Sequence, residues 1–455
     1  MDTPAPPSPD NDFDLATLEA RAQQLVEAAQ KAGADGADAI VAASRAAGID
    51  VREGKVEEAE GAENNAFSLR VFVGHQTASV SANQGDDPGL LAKRAVAMAR
   101  VSPPDPLVAL ADEDLLARSV EDLDLYDATE PDHAHMEGLA RACEEAALAV
   151  PGVAKSSGAS FGRALGGTVL ATSHGFLGSY RSSRFSLSVS VVAGEGTAME
   201  RDYDFDSMRH FTDLRHGAEI GRKAGEKAVA RLNPRQVKTQ TATVIFDPRM
   251  ARGLVGHVAG ALNGASVVRK TSFLRDRMGE VALGPQITIV DEPHLRRGAA
   301  SRPFDGEGVA NDDLTLVKDG RIENWLLDGR NARALDRITN GRANRAGSGT
   351  SPGSTNLTLL PGATSRADMI GSVKSGFYVT ELIGQGVNMV TGDYSRGASG
   401  FWIENGKLTF AVSEVTIAGK LQDMFARMVP ADDLEKRFGT NAPTIAIEGM
   451  TIAGR

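Results

Sequence analysis

The feature that most constrains this chain is the run GQGVNMVTGDYSRGASGFWIENG at residues 384–406, which leads straight into KLTFAV at 407–412. Its six glycines exclude a helix. Asn405-Gly406 is the pair that a two-residue hairpin favours, because both turn positions then take positive φ. The run therefore predicts a shaped backbone surface on a rigid sheet, carrying Asp393, Glu404, Arg396 and the hydroxyls of Thr391, Tyr394, Ser395 and Ser399.

Residues upstream supply the rest of the architecture. An acidic, proline-rich lead-in at 1–13 lacks the basic start and apolar segment of a signal peptide. Helical periodicity predicts a first helix over 14–31, strands at 39–43, 48–56, 66–73 and 76–81, and a helix over 87–99, together an α+β unit at 14–106. An acidic linker follows at 107–130. A second α+β unit at 131–235 opens with a helix over 131–150, continues in long strands and closes with a helix before Asn233-Pro234. The third unit, 236–455, begins with a strand at 241–246 and a helix over 250–262 capped by Asp247, then becomes mostly strands. The expected fold class is α+β, with N-terminal layered α/β domains and a C-terminal domain rich in antiparallel β-strands.

Charge and cysteine content narrow the function. With 49 basic and 60 acidic side chains the net charge is −11, a field that repels nucleic acid, and no basic run with interleaved aromatics offsets it. No apolar run approaches the ~18 residues a membrane helix needs. Cys143 is the single cysteine, so no internal disulfide can form and a cytoplasmic setting fits best. No phosphate-cradling glycine motif follows a strand, which disfavours nucleotide folds.

The candidates for chemistry are few. His133, His135 and Glu137 are the only dense ligand cluster, but on a helix His135 points away from the other two, and Asp132, His133 and Glu137 read as capping and solvated charge. His257 sits among Leu254, Val255, Val258 and Leu262, with no second histidine three or four residues away; the nearest carboxylates, Asp247 and Asp276, are distant in sequence. Ser395 and Ser399 flank Arg396-Gly397, and could serve a hydrolase only if the fold brings a base such as His294 to them. Tight turns also demand Gly, Ser and Asp. A third reading has Asp393, Tyr394, Ser395, Arg396 and Ser399 binding something extended, a peptide backbone or a partner loop.

Followed by EVTIAGKLQDM at 414–424, the glycine run closely resembles the C-terminal region of the TldD/PmbA family, and within it the PmbA (TldE) branch. The resemblance extends from REGKV at 52–56 to the C-terminus. In the TldD branch it implies a His-Glu-x-x-x-His helix that holds zinc, completed by a cysteine. Aligned through LNG at 262–264 and TSF at 271–273, those positions fall on Val255, Gly256 and Gly260, none of which ligates a metal. Placing His257 on the second histidine leaves Arg252 and Gly253 at the other two, and Cys143 lies far upstream. The resemblance thus implies a subunit without its own zinc, in a cytoplasmic heterodimer with a TldD-like zinc-bearing partner that cleaves unfolded peptides or peptide precursors. This chain would add cavity and substrate binding. An independent hydrolase using Ser395 or a non-standard metal set, and a homodimeric peptide-binding protein without catalysis, remain as alternatives.

Overall fold

The structure, a computed structural model, describes residues 13–455 apart from Gln84, Thr197, Gly347 and Ser348. All but the last residue of the 1–13 lead-in therefore lies outside the described residues. The first half comprises α1 (Leu15–Lys31), β1 (Gly36–Arg52), β2 (Lys55–Val73), β3 (Gln76–Asn83), α2 (Pro88–Val101), α3 (His133–Leu148), β4 (Val153–Thr172), β5 (Leu177–Ala193), β6 (Glu200–Met208) and α4 (Gly217–Ala230). The strands form one antiparallel sheet in the order β3-β2-β1-β4-β5-β6. β1 pairs β4 from Asp38 opposite Thr172 to Val51 opposite Ala159, so the units at 14–106 and 131–235 share one sheet. Alternation along β1 sends Ala37, Ala39 and Val41 into a core with α1 and α2, and Ile49 and Val51 into a second core with α3 and α4.

The strand expected at 48–56 is instead a hairpin. Glu53 and Gly54 take φ of 50° and 68°, the mirror-image turn that matches strand twist. Both turn N–H groups donate to the buried carboxylate of Glu144 on α3, at 2.9 and 2.8 Å. Residues 57–65, with no apolar alternation, nevertheless belong to β2 and are exposed throughout. The 107–130 segment is largely irregular, and it buries Leu110, Leu123 and Leu125.

The second half contains β7 (Gln240–Phe246), α5 (Pro248–Ala261), α6 (Gly264–Val268), β8 (Ile289–Asp291), β9 (Leu314–Lys318), β10 (Arg321–Ile322), α7 (Gly329–Ala334), β11 (Ala343–Ala346), β12 (Gly349–Pro352), β13 (Leu357–Leu359), α8 (Arg366–Gly371), β14 (Ser375–Ile383), β15 (Asp393–Glu404), β16 (Lys407–Lys420), α9 (Leu421–Ala426), β17 (Met428–Pro430), β18 (Thr440–Asn441) and β19 (Ile445–Ala453). One sheet runs β16-β15-β14-β7-β19-β17, and β16 also pairs β19, closing five strands into a small barrel. A second runs β10-β9-β8-β13-β18. Residues 393–404 of the glycine run are thus strand. Its glycines admit close backbone: a Cβ at Gly400 would lie 1.9 Å from the Tyr378 carbonyl oxygen. Asn405 and Gly406, at φ of 48° and 76°, form the expected hairpin turn.

Buried ion pairs join the halves. Asp38 on β1 meets Arg70 on β2 and Arg345 on β11. Burial alone would raise its carboxyl, but Arg345 and Arg70 hold it below the usual carboxylate range. Removing one member would strand a buried charge, a loss of about 3–5 kcal/mol.

Helices α3 and α4 cross where α4 is glycine. A Cβ at Gly221 would lie 2.1 Å from the Cys143 carbonyl oxygen, whereas one at exposed Gly138 meets nothing within 4 Å. We expect Gly221→Ala to cost about 1–3 kcal/mol and Gly138→Ala to gain about 0.5–1 kcal/mol in urea denaturation. Equal effects of the two substitutions would refute the close crossing.

Candidate functional site

Helix α5 begins where Asp247 accepts the Met250 N–H at 2.8 Å and Pro248 presets the first turn. Ala251, Leu254, Val255, Val258, Ala259 and Ala261 bury its inner face against both C-terminal sheets. The outer face carries Gly253 and Gly256, exposed, and Gly260, half-buried. A Cβ at Gly253 or Gly256 would meet nothing within 4 Å, and one at Gly260 only Met389 Cε at 3.7 Å. Packing within this chain therefore does not demand these glycines. Each costs the helix about 0.5–1 kcal/mol relative to alanine.

Met389 belongs to the 384–392 loop, which the backbone binds firmly to its surroundings. The Phe273 N–H donates to the Met389 carbonyl at 3.1 Å, the Ser395 N–H to Gly386 at 2.7 Å, and the Leu421 N–H to Gly392 at 2.7 Å. The loop thereby forms a wall beside the glycine face of α5. On β15, which follows, alternation decides what reaches this surface. Asp393 is exposed and pairs with Lys420 Nζ at 2.6 Å. Ser395 is exposed, and half-buried Arg396 donates Nε–H to the Ile383 carbonyl at 3.4 Å. Tyr394 and Ser399 are instead buried, at 2% and 7% exposure. The Tyr394 hydroxyl is buried without a hydrogen-bond partner, and its ring meets that of His257 edge-on at 6.2 Å. Burial, with the Arg396 charge added, holds His257 below the usual imidazole range.

These positions do not form a metal centre. Val255 faces the core, Gly256 and Gly260 have no side chain to offer, and His257 has aromatic and cationic neighbours in place of further donors. Among the described residues no group of three or more His, Cys, Asp and Glu side chains is placed to hold a metal. In the 133–137 cluster, Asp132 caps α3, Glu137 pairs Arg141 at 2.6 Å and the His135 ring packs on Phe211. Burial pushes the Cys143 thiol up to about 12, which leaves it unreactive. Nor does Ser395 acquire a base: it points to the opposite side of β15 from Tyr394 and His257, and His294 is bound to Asn311 at 3.0 Å and Glu121 at 3.2 Å. What sequence reasoning missed is Arg252, one turn before Gly256 on the same side of α5; the spacing 252, 256, 260 was the available signal.

Residues 37–99, 118–232 and 239–454 match, in turn, the PmbA/TldA metallopeptidase domain 1, central domain and C-terminal domain. A metalloprotease PmbA homolog of Haemophilus influenzae is 38% identical over 453 residues, covering 96% of this chain and 98% of its own. Among solved structures, a Bacteroides thetaiotaomicron protein described as a modulator of DNA gyrase superposes with a TM-score of 0.89 at 28% identity, over 97% of this chain and all of its own. TldE from Thermococcus kodakarensis shares the fold, with a TM-score of 0.83 at 21% identity over 95% of this chain and 99% of its own.

The depressed His257 value has a thermodynamic consequence. The unfolded imidazole, near 6.5, takes up its proton before the folded one, so this contribution to stability is complete above 6.5 and is lost as pH falls through the folded value. His257→Gln should therefore flatten the fall in stability on acidification from neutral pH. Parallel stability–pH curves for the two proteins would show that burial does not hold the ring neutral.

Proposed function

The chain belongs to the PmbA/TldD metallopeptidase family, and we propose that it acts there as the subunit without zinc in a TldD/TldE-type complex. The observation that carries this reading is the outer face of α5. Where the resemblance implies zinc ligands in the TldD branch, this helix presents Gly256 and Gly260; Gly253 and Gly256 leave bare, exposed backbone, and Gly260 is half-covered by Met389. Glycine at such a cost, without an internal reason, fits a surface on which another backbone lies close.

A TldD-like homologue would supply the metal and the water it activates. This chain would supply the wall and floor of a shared cavity for unfolded peptides or peptide precursors, with Arg396 at its rim. Peptide strands bind such surfaces mainly through their backbone, which suits substrates of varied sequence. The lone, buried Cys143 supports a cytoplasmic setting.

Elemental analysis should find no stoichiometric zinc in the purified chain, and the chain alone should lack peptidase activity. The double substitution Gly253→Ala with Gly256→Ala should stabilise the chain by about 1–2 kcal/mol while slowing peptide cleavage by the complex at least tenfold. Arg396→Ala should slow cleavage with little change in melting temperature. Tightly held zinc lost on mutating His257, or full cleavage by the alanine variant, would overturn the reading.

A further inference from the structure

A cavity of about 970 Å³ opens between β6 and α4 on one side and the N-terminal end of α5 on the other, with the 433–442 segment along its edge. A row of aromatic rings with a guanidinium at each end runs along it. Arg249 lies over the Tyr203 ring at 4.8 Å, Tyr203 stacks on Phe205 at 6.1 Å, Phe205 meets Phe438 at 5.5 Å, and Arg252 lies over Phe438 at 3.9 Å. Most cations around the cavity are already neutralised. Arg249 pairs with Asp202 at 3.0 Å, Arg215 and Lys227 with Asp204 at 2.9 and 2.7 Å, and Arg437 with Asp206 at 2.6 Å.

Two are not. Among the described residues, Arg252 and Arg366 make no hydrogen bond or ion pair, and each has only an aromatic face, Phe438 or Tyr378, against its guanidinium. Asp247 acts on both from beyond ion-pair distance, and its carboxylate is occupied as the cap of α5. Arg366 is exposed, but Arg252 is partly out of water, and a guanidinium so placed without a counter-ion is unfavourable unless a ligand provides one. Burial accordingly lowers the Arg252 pKa.

The lining as a whole selects among anions. Eight basic and six acidic side chains give a net of only +2, which suits a single carboxylate far better than a polyphosphate. Position selects further. Arg252, the last α5 residue to line the cavity, stands one helical turn before Gly256 and two before Gly260, at the near end of the glycine face. From Arg252 to Gly260 is about 12 Å along the axis, the span of three to four residues of extended peptide at ~3.3 Å each.

We propose that this cavity receives the C-terminal carboxylate of a peptide lying along α5. Arg252 offers its planar fork to the carboxylate, Arg366 adds the second positive charge, and the Phe205–Phe438 pair takes an apolar or aromatic terminal side chain. The proposal rests on the reading of this chain as a peptide-handling subunit. It fixes the end of the peptide that the subunit recognises.

Calorimetric titration of the full chain with an N-acetylated tripeptide ending in phenylalanine, as the free acid and as the C-terminal amide, tests it. The acid should bind at least about tenfold more tightly. Arg252→Gln should abolish that difference and Arg252→Lys should restore part of it. Equal affinity for acid and amide in the unmodified chain, or no binding of either, overturns the proposal without recourse to any variant. So does displacement of the acid by inorganic phosphate at equal concentration, which would mark a general anion site. None of these results depends on partner assembly or zinc content, so the cavity proposal can fail while the subunit reading stands, and the reverse.

Discussion

Helix α5 is held from one side only. Its inner face is continuous with the largest apolar core of the molecule, where the closed barrel and the five-stranded sheet meet, and Leu254, Val255 and Val258 are at most 1% exposed there. That anchorage is strong enough to tolerate glycines on the outer face, whose combined cost of ~1.5–3 kcal/mol would undo a less well packed helix. The helix is thereby freed to offer backbone where a side chain would otherwise stand. The neighbouring loop, the rim of β15 and the cavity at its N-terminus all take their positions from it.

The second constraint is the way the halves are fastened. Arg345 reaches Asp38 from β11, while Arg342 on the same segment is fully buried against Asp291, with its remaining N–H groups donated to the carbonyls of Asn340 and Asp312 at 2.8 and 2.6 Å. Charges this deeply buried hold only in one geometry. Further ion pairs continue the junction around the cavity at the N-terminal end of α5: Arg231 links Asp202 on β6 to Glu381 on β14, and Arg437 reaches Asp206. The cavity walls come from both halves, so this fastening fixes its shape.

Much of this was legible in the sequence where the signal is local. Asp132 and Asp247, read as caps, each accept an N–H of the helix they precede, and Asp14 and Asp87 do the same. The Asn405-Gly406 turn was equally clear. Residues 57–65 were not, because a strand exposed on both faces shows no alternation. The glycine run was legible as a polar surface on a sheet, but which of its side chains point inward was not, although Asp393 out, Tyr394 in and Ser395 out is the period of a strand and places Tyr394 in the core. Pairings such as β1 with β4 and β16 with β19 join segments too distant for any periodicity to reveal. Arg252 entered the sequence reading only as a position that cannot ligate a metal, because its importance lies in what it lacks, a counter-ion, and only the folded chain shows that.

As proposed, this chain completes a peptidase whose metal belongs to another subunit. The most direct measurement is light scattering on a size-exclusion column, with this chain mixed at equal concentration with a TldD-like homologue and peptidase activity read in the same fractions. The account predicts one species with the summed mass of both chains, carrying activity that neither chain shows alone. Two separate peaks, with full activity in the homologue's own fractions, would contradict it.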